Sequence, residues 1–509
     1  MKKKIIVVGG GTAGWITLAY LAATVDADLT IVHSDEVNII GVGESTTPII
    51  KNVADTIGLD DRTWMRDGRA SFKYGIDFHN FNTVGKRWRH LYDDLLPAQI
   101  YNNPLIDNGK VLFENSATSV EYFLSQRAKG HPCYDIDYYN ASQGGCSFLV
   151  DNRLSPYDED GLMNFSSNHR YSYHVNAHQF GQSLRNHTSP EKFTEIRATI
   201  RHVELDENGV KNLILDDGSK LAGDLYVDCT GFARLLTKEL TTYVKHDRLL
   251  NNAAVWGQVK GHNIDTPYTV STAKDAGWIW EIPTWGQVGS GHVYCDDFIT
   301  EEQALDTITR HWADRGLTWT PDKSVKFVSG RLKEIAIKNV VANGLGQSFI
   351  EPLEATSIMI TCYTAINIAR LFNKHQGWTA QVSRAMSTMM DKYIGSTMDF
   401  ISAHYTLSDR RDTDYWCAYN RVDGLEKVCA DIEQQLKRGW ARKEEVVLNA
   451  YNWTSMLVGF EKPYLGPLPA LTDKQVANYE FYTQQLIANY QHIYKNNISI
   501  KDKLQQIHG

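Results

Sequence analysis

The chain has 509 residues, 42% of them hydrophobic and 22% charged, with a formal net charge of -8 at pH 7. Ordinary domain sizes then predict roughly two to three domains, or one large module with insertions, able to bury a deep site. The acidic balance and the lack of a basic run argue against nucleic acid as the main partner. The seven cysteines (Cys133, Cys146, Cys229, Cys295, Cys362, Cys417, Cys429) form no C-x-x-C pair and no His/Cys cluster at zinc spacing, so a reduced, cytoplasmic protein without a structural metal is expected.

MKKK followed by IIVV and WITLAYLAA has the outline of a signal peptide, but Gly9, Gly10 and Gly11 break the apolar run too early. No other segment approaches the ~18 uninterrupted apolar residues of a spanning helix, so no membrane insertion is expected. The same stretch reads better as a strand (Lys4 to Val8), a glycine turn, a helix (about Ala13 to Thr24) and a second strand (Leu29 to His33). In GGGTAG, with Thr12 and Ala13 inside it, Gly9, Gly11 and Gly14 satisfy G-x-G-x-x-G at the strand-to-helix junction. That pattern lets a pyrophosphate approach the backbone and sit on the helix N-terminus. Where an acid for the ribose is expected, the second strand instead ends in His33 and Ser34, with Asp35 and Glu36 just beyond.

SFKYGIDF (71–78) alternates strictly and reads as one strand, with Phe72, Tyr74, Ile76 and Phe78 on one parity and Lys73 on the other. From Ala198 to Asp224, successive strands are joined at Asn-Gly and Asp-Gly turns. DLYVDCTGF (224–232) is an apolar strand ending at Thr230-Gly231, of the kind that returns to the cofactor in two-dinucleotide-fold flavoproteins. No second G-x-G-x-x-G marks a nicotinamide domain. GWIWEIPTW (277–285) predicts a short strand with Trp278, Trp280 and Ile282 on one face, ended by Pro283.

In LGQSFIEPLEATSIMITCY (345–363), Glu351 and Glu354 stand in an apolar run just before a helix beginning near Thr356. A buried acid costs several kcal/mol unless it is partnered, and helix-start N–H groups at Thr356 and Ser357 make a small anion site. Beyond about residue 376 the pattern turns helical, with one helix over 424–440, a proline-marked connection in PYLGPLPAL, and another helix opened by a capping box from Thr472 to Gln475.

These stretches together resemble the flavin-dependent tryptophan halogenases. The matching residues are GGGTAGW (9–15), GVGESTTP (41–48), SFKYGIDF, YHVNA (173–177), DLYVDCTGF, GWIWEIP, FIEPLEATSI (349–358) and the AHY...RRDT..W pattern at 403–416. The resemblance implies an α/β fold: an FAD-binding two-dinucleotide-fold module like that of flavin monooxygenases, over 1–376, with a mostly helical, substrate-covering region over 377–509. It implies FAD held by the glycine turn, Glu44 and Gly231, with Leu345 and Ile358 flanking the isoalloxazine. Reduced FAD and O2 then oxidise a halide, chloride or bromide, contacting the backbone at Thr356 and Ser357. The hypohalous acid travels through a tunnel, past Trp278 and Trp280, to Lys73. Glu354 assists by polarising the oxidant or taking the ring proton, and a small electron-rich aromatic is halogenated.

Two departures bear on substrate and halide. Ser357 stands where many relatives have glycine, which bears on halide choice. Before NWTSMLVGF only LNAY is present, with no Tyr-rich clamp for an amino-acid group, so indole or an indole derivative is expected in place of free tryptophan. A separate NAD(P)H-dependent flavin reductase is the expected electron source, and a homo-oligomer is allowed. An aromatic hydroxylase and a non-catalytic flavin-binding protein are the alternatives.

Overall fold

The computed structural model describes residues 2–34, 43–92, 145–161, 171–261, 266–422, 450–462 and 471–509, with a few single positions between these stretches. The strand β1 (Lys4–Val8) pairs in parallel with β2 (Asp28–His33) on one side and with Leu225–Asp228 on the other. Phe193–Arg197 and Val340–Ala342 extend this sheet in parallel, and Ala336–Ile337 closes one edge in the antiparallel sense. A parallel core buried on both faces explains the near-continuous apolar run IIVV.

Helix α1 (Thr12–Thr24) crosses over between β1 and β2. It is apolar almost all round because it packs against the sheet and against the helices Ala177–His187 and Thr356–His375. The hairpin strands Ile200–Asp206 and Gly209–Leu215 turn at Asn208, as the Asn-Gly signal predicts.

A second sheet has seven strands, in the order Trp319–Lys326, Ala253–Lys260, Gln287–Tyr294, Gly277–Thr284, Thr269–Lys274, β5 (Gly75–His79) and β6 (Arg87–Leu91). A small sheet of β3 (Gly43–Ser45), Ser172–Asn176 and β4 (Ser71–Lys73) lies beside it.

SFKYGIDF is therefore two strands in two sheets, broken at Tyr74, and all eight residues are buried. Alternation predicts one wet face, but here both faces are covered. Pro283 does not end its strand either, since it pairs with Val288 and the strand runs to Thr284. Its carbonyl accepts a hydrogen bond from Ser71 Oγ, so its backbone polar side faces away from that partner strand and the missing N–H breaks no rung there.

The helix Thr356–His375 starts where expected and is followed by the 27-residue helix Ala380–Thr406, whose N-cap Thr379 accepts from the Val382 N–H. The capping box at Asp473–Ile493 forms as read, with Gln475 N–H to Thr472 Oγ1 and Thr472 N–H to Gln475 Oε1. The last strand, Asn497–Ser499, returns to pair with Leu154–Asp158. The helix expected over 424–440 falls almost wholly outside the described residues, as do the connection 463–470, Asp35, Glu36 and Cys133. No described helix is long and apolar enough to cross a membrane.

Candidate active site

Two regions meet at the turn 350–357. The first is a cavity of about 1220 Å3 over the C-terminal ends of β1 and β2, larger than the ~300–1,000 Å3 of ordinary small-ligand pockets. Gly9, Gly11, Thr12, Ala13, Glu44, Gly231, Leu345, Thr356, Ser357 and Ile358 all line it. Gly14 does not, because it sits under the turn, where an added Cβ would lie 1.9 Å from the Gly9 carbonyl oxygen. Gly9 itself has φ +117° and packs on the Cys229 carbonyl. A Cβ at Gly11, by contrast, meets no protein atom within 4 Å.

No side chain caps α1, so its first N–H groups and dipole face that open space. A dinucleotide pyrophosphate fits this cradle. At the adenosine end, His33 and Ser34 line the cavity, and the acid missing from β2 arrives on the neighbouring strand as Glu195, 2.9 Å from His33 Nε2 and bound by Arg185. Glu44 is half-buried, and burial pushes its carboxyl up to about 7.

The far end of the cavity is the N-terminus of Thr356–His375. Its N-cap, Ala355, has φ +57° and offers no capping side chain, and Thr356 Oγ1 is buried without a hydrogen-bond partner. Left-handed backbone at a non-glycine residue is strained by about 1–3 kcal/mol and needs tertiary support.

The second region lies on the other side of the same turn. Lys73 is fully buried, and its Nζ donates to the Thr46 carbonyl at 2.8 Å and sits 5.0 Å from the centre of the Tyr92 ring. Burial drives the Lys73 pKa down to about 7, against the opposing field of Glu354. Glu354 is 4% exposed. His90 Nδ1 lies 3.0 Å from both of its oxygens and His404 Nε2 3.0 Å from Oε1. Burial alone would raise this carboxyl, but the field of His90 and the hydrogen bonds from His404 and His90 outweigh it and hold it at about 2. Lys73 and Glu354 thus feel each other's charge without a direct ion pair.

Trp278 and Trp280 line neither the cavity nor an open surface, and their rings lie 6.1 Å apart. Trp278 Nε1 donates to Glu351 Oε2 at 3.1 Å, and Asn251 Nδ2 donates to the same oxygen at 2.6 Å. Burial pushes the Glu351 carboxyl up despite these bonds.

Residues 4–469 match the family described as Tryptophan halogenase. The chain belongs to that family. It is 31% identical over 444 residues to the tryptophan 7-halogenase RebH of Lentzea aerocolonigenes, covering 83% of this chain and 80% of the relative. Among solved structures, the tryptophan 6-halogenase SttH of Streptomyces toxytricini superposes with a TM-score of 0.85 at 25% identity, covering 99% of this chain and 100% of that one. BrvH, a flavin-dependent halogenase from Brevundimonas sp. BAL3, gives 0.80 at 27% identity with full coverage of both chains. The chain is therefore a flavin-dependent halogenase with the flavin-monooxygenase-like α/β fold.

In this halogenase His90, His404, Tyr92, Thr46 and Asn251 join the site, and none was singled out from the sequence. His404 lies in the AHY stretch and His90 closely follows SFKYGIDF, but a histidine beside an acid in space leaves no local pattern.

Proposed function

We propose that this halogenase uses reduced FAD, O2 and chloride or bromide to halogenate an electron-rich arene, indole or an indole derivative rather than free tryptophan. The observation that carries the reading is the turn 350–357: Thr356 and Ser357 open onto the dinucleotide cavity, while Glu354, two residues earlier, faces the pocket of Lys73. A single short segment thereby couples the place where an oxidant is made to a buried cation and base.

The glycine turn, Thr12, Ala13, Glu44, Gly231, Leu345 and Ile358 hold the FAD. Reduced flavin with O2 supplies the two-electron oxidant that converts halide to hypohalous acid. The halide rests at the uncapped helix start, on the N–H groups of Thr356 and Ser357, with the unpartnered Thr356 hydroxyl within the same helix turn. Trp278, anchored by Glu351, stands with Trp280 between flavin and arene and admits only the small oxidant. That separation disfavours direct hydroxylation.

Lys73, with a pKa near 7, offers both ammonium and amine at neutral pH. The first can hydrogen-bond hypohalous acid and the second can carry the halogen. Glu354 is the carboxylate that takes the proton from the halogenated ring carbon. Residues 377–509 cover the arene, with electrons supplied by a separate NAD(P)H-dependent flavin reductase.

The test is mass spectrometry of an equimolar mixture of indole and tryptophan incubated with the protein, FAD, a flavin reductase, NADH and bromide. A bromine isotope doublet on indole in excess over tryptophan is expected. Oxygen added in place of bromine would establish a hydroxylase, and preferential bromination of tryptophan would refute the substrate reading.

A further inference from the structure

The hydrogen bonds around Glu354 determine where protons sit. His404 Nδ1 lies 3.0 Å from the Phe400 carbonyl oxygen, one turn back in its own helix. A carbonyl only accepts, so Nδ1 carries a hydrogen. A neutral imidazole has a single N–H, and Nε2 would then be a bare acceptor facing Glu354 Oε1 at 3.0 Å. Two acceptors do not hold that distance in a buried site, so the contact contains a proton, on either His404 or Glu354.

His90 differs. The Asn452 amide nitrogen donates to its Nε2 at 3.0 Å, which leaves Nδ1 as the N–H that Glu354 receives, and the neutral ring is satisfied.

The surroundings of His404 favour the charge on the imidazole. Its ring stacks on Trp88 at 5.9 Å and 27°, and is bordered by Phe78 at 4.9 Å and Phe460 at 5.9 Å. Aromatic faces stabilise a cation at such distances. The charged and titratable groups that face Glu354 are Lys73 from β4, His90 from β6, the Tyr92 hydroxyl just beyond it, and His404 from Ala380–Thr406.

We infer that His404 is a positioning residue for halogenation: the resting enzyme holds it as an imidazolium against the Glu354 carboxylate, and the proton the two share is used and regained in each turnover. This rests on the halogenase reading of the site. As the C–halogen bond forms, the O–halogen bond of hypohalous acid breaks and its electron pair stays on oxygen. Glu354 passes the shared proton to that oxygen, releasing water. The C–H bond of the same ring carbon then breaks, its electron pair restoring aromaticity, and the proton returns to the Glu354–His404 pair. The ring carbon is oxidised by two electrons and the halogen is reduced from its hypohalous state, with no net proton gained or lost by the protein. The low position of the Glu354 carboxyl agrees with the ion-pair form.

The experiment is 15N NMR on the full-length protein labelled at histidine, with His404 assigned by its absence in His404→Gln, alongside kcat and KM for the halogenated arene from pH 5.5 to 9. Both ring nitrogens of His404 should give protonated-type shifts at pH 7. His404→Gln, which keeps an N–H toward Glu354 but no transferable proton, should leave KM within about threefold, lower kcat by tenfold or more and change the shape of the kcat profile with pH. A bare Nε2 in the resting protein, or a Gln variant with wild-type kcat and an unaltered pH profile, overturns the inference. The shifts can be read whether or not the protein halogenates anything. A failed halogenation assay with a doubly protonated His404 therefore refutes the reaction and not the proton placement.

Discussion

Replacing Lys73 with methionine separates stability from chemistry. The pKa of Lys73 falls from 10.5 to about 7 because its ammonium is buried, so the folded state disfavours the charged form by roughly 3.5 pH units, or about 5 kcal/mol. The pKa is depressed on folding, so below about pH 7 the wild type carries the whole penalty. Between about 7 and 10.5 the unfolded chain binds more protons, and stability is recovered as pH rises; above 10.5 the lysine is neutral in both states.

Methionine has a similar length and no charge. The Thr46 carbonyl that Lys73 would abandon still accepts the Tyr92 hydroxyl at 2.8 Å, so no orphaned acceptor offsets the gain. Lys73→Met should be more stable than wild type at pH 6, by about 3–5 kcal/mol, and the gap should shrink toward zero by pH 10. For a chain of this length, about 2 cal/mol/K per residue of unfolding entropy makes that roughly 3–5 °C in melting midpoint. Calorimetry of both proteins at pH 6 and pH 10 measures it, with bromination of indole followed in parallel and expected to be lost. A variant that melts no higher at pH 6 and brominates at the wild-type rate refutes the argument, and Lys73 is then neither penalised nor used.

The glycine turn gives a paired test: Gly14→Ala drives a methyl against the Gly9 carbonyl and should lower both the melting midpoint and FAD affinity. Gly11→Ala meets no protein atom and should melt like wild type while losing FAD binding at least tenfold by fluorescence titration, and unchanged affinity would show that the ligand does not approach there. At Glu351, Leu leaves the Trp278 and Asn251 donors without that acceptor and should cost about 2–4 kcal/mol in urea unfolding, whereas Gln, which keeps a carbonyl oxygen, should cost under about 1; equal stability of the two refutes the anchoring role.

What the sequence made legible was local. The β1–turn–α1 unit, the Asn-Gly hairpin, the helix start at Thr356 and the capping box at Thr472 each depend on residues within a few positions of one another, and each formed as read. The errors arose where tertiary packing set the outcome. Alternation in SFKYGIDF assumes a solvent-facing parity, but β4 is covered by Ser172–Asn176, and Ser71 is tied to the Pro283 carbonyl. Pro283 was read as a strand end on its missing N–H alone, and which way its backbone faces depends on a residue 212 positions away. Similarly, the expected acid at the end of β2 is replaced by one from a strand that pairs beside it, Glu195 on Phe193–Arg197.

The two acids of FIEPLEATSI show most sharply what a motif leaves undecided. Glu351 and Glu354 are three residues apart in one tight turn, fixed by hydrogen bonds from Leu353 N–H to the Glu351 carbonyl and from Ala355 N–H to the Pro352 carbonyl. Both are buried, and sequence alone treats them alike. The turn sends Glu351 toward Asn251, Trp278 and Tyr405, all neutral donors too weak to offset desolvation, and its carboxyl is pushed up. It sends Glu354 between two imidazoles, and its carboxyl is pulled down to about 2. Environments that drive neighbouring carboxyl groups apart divide their roles: the neutral one holds an indole in place and the ionised one can accept a proton. That division depends on His90, brought by β6, and His404, brought by a helix that begins 26 residues after Glu354. The base is therefore competent only when Ala380–Thr406 is docked, which ties the chemistry at Lys73 to a helix of the covering region, well beyond the flavin-binding motif.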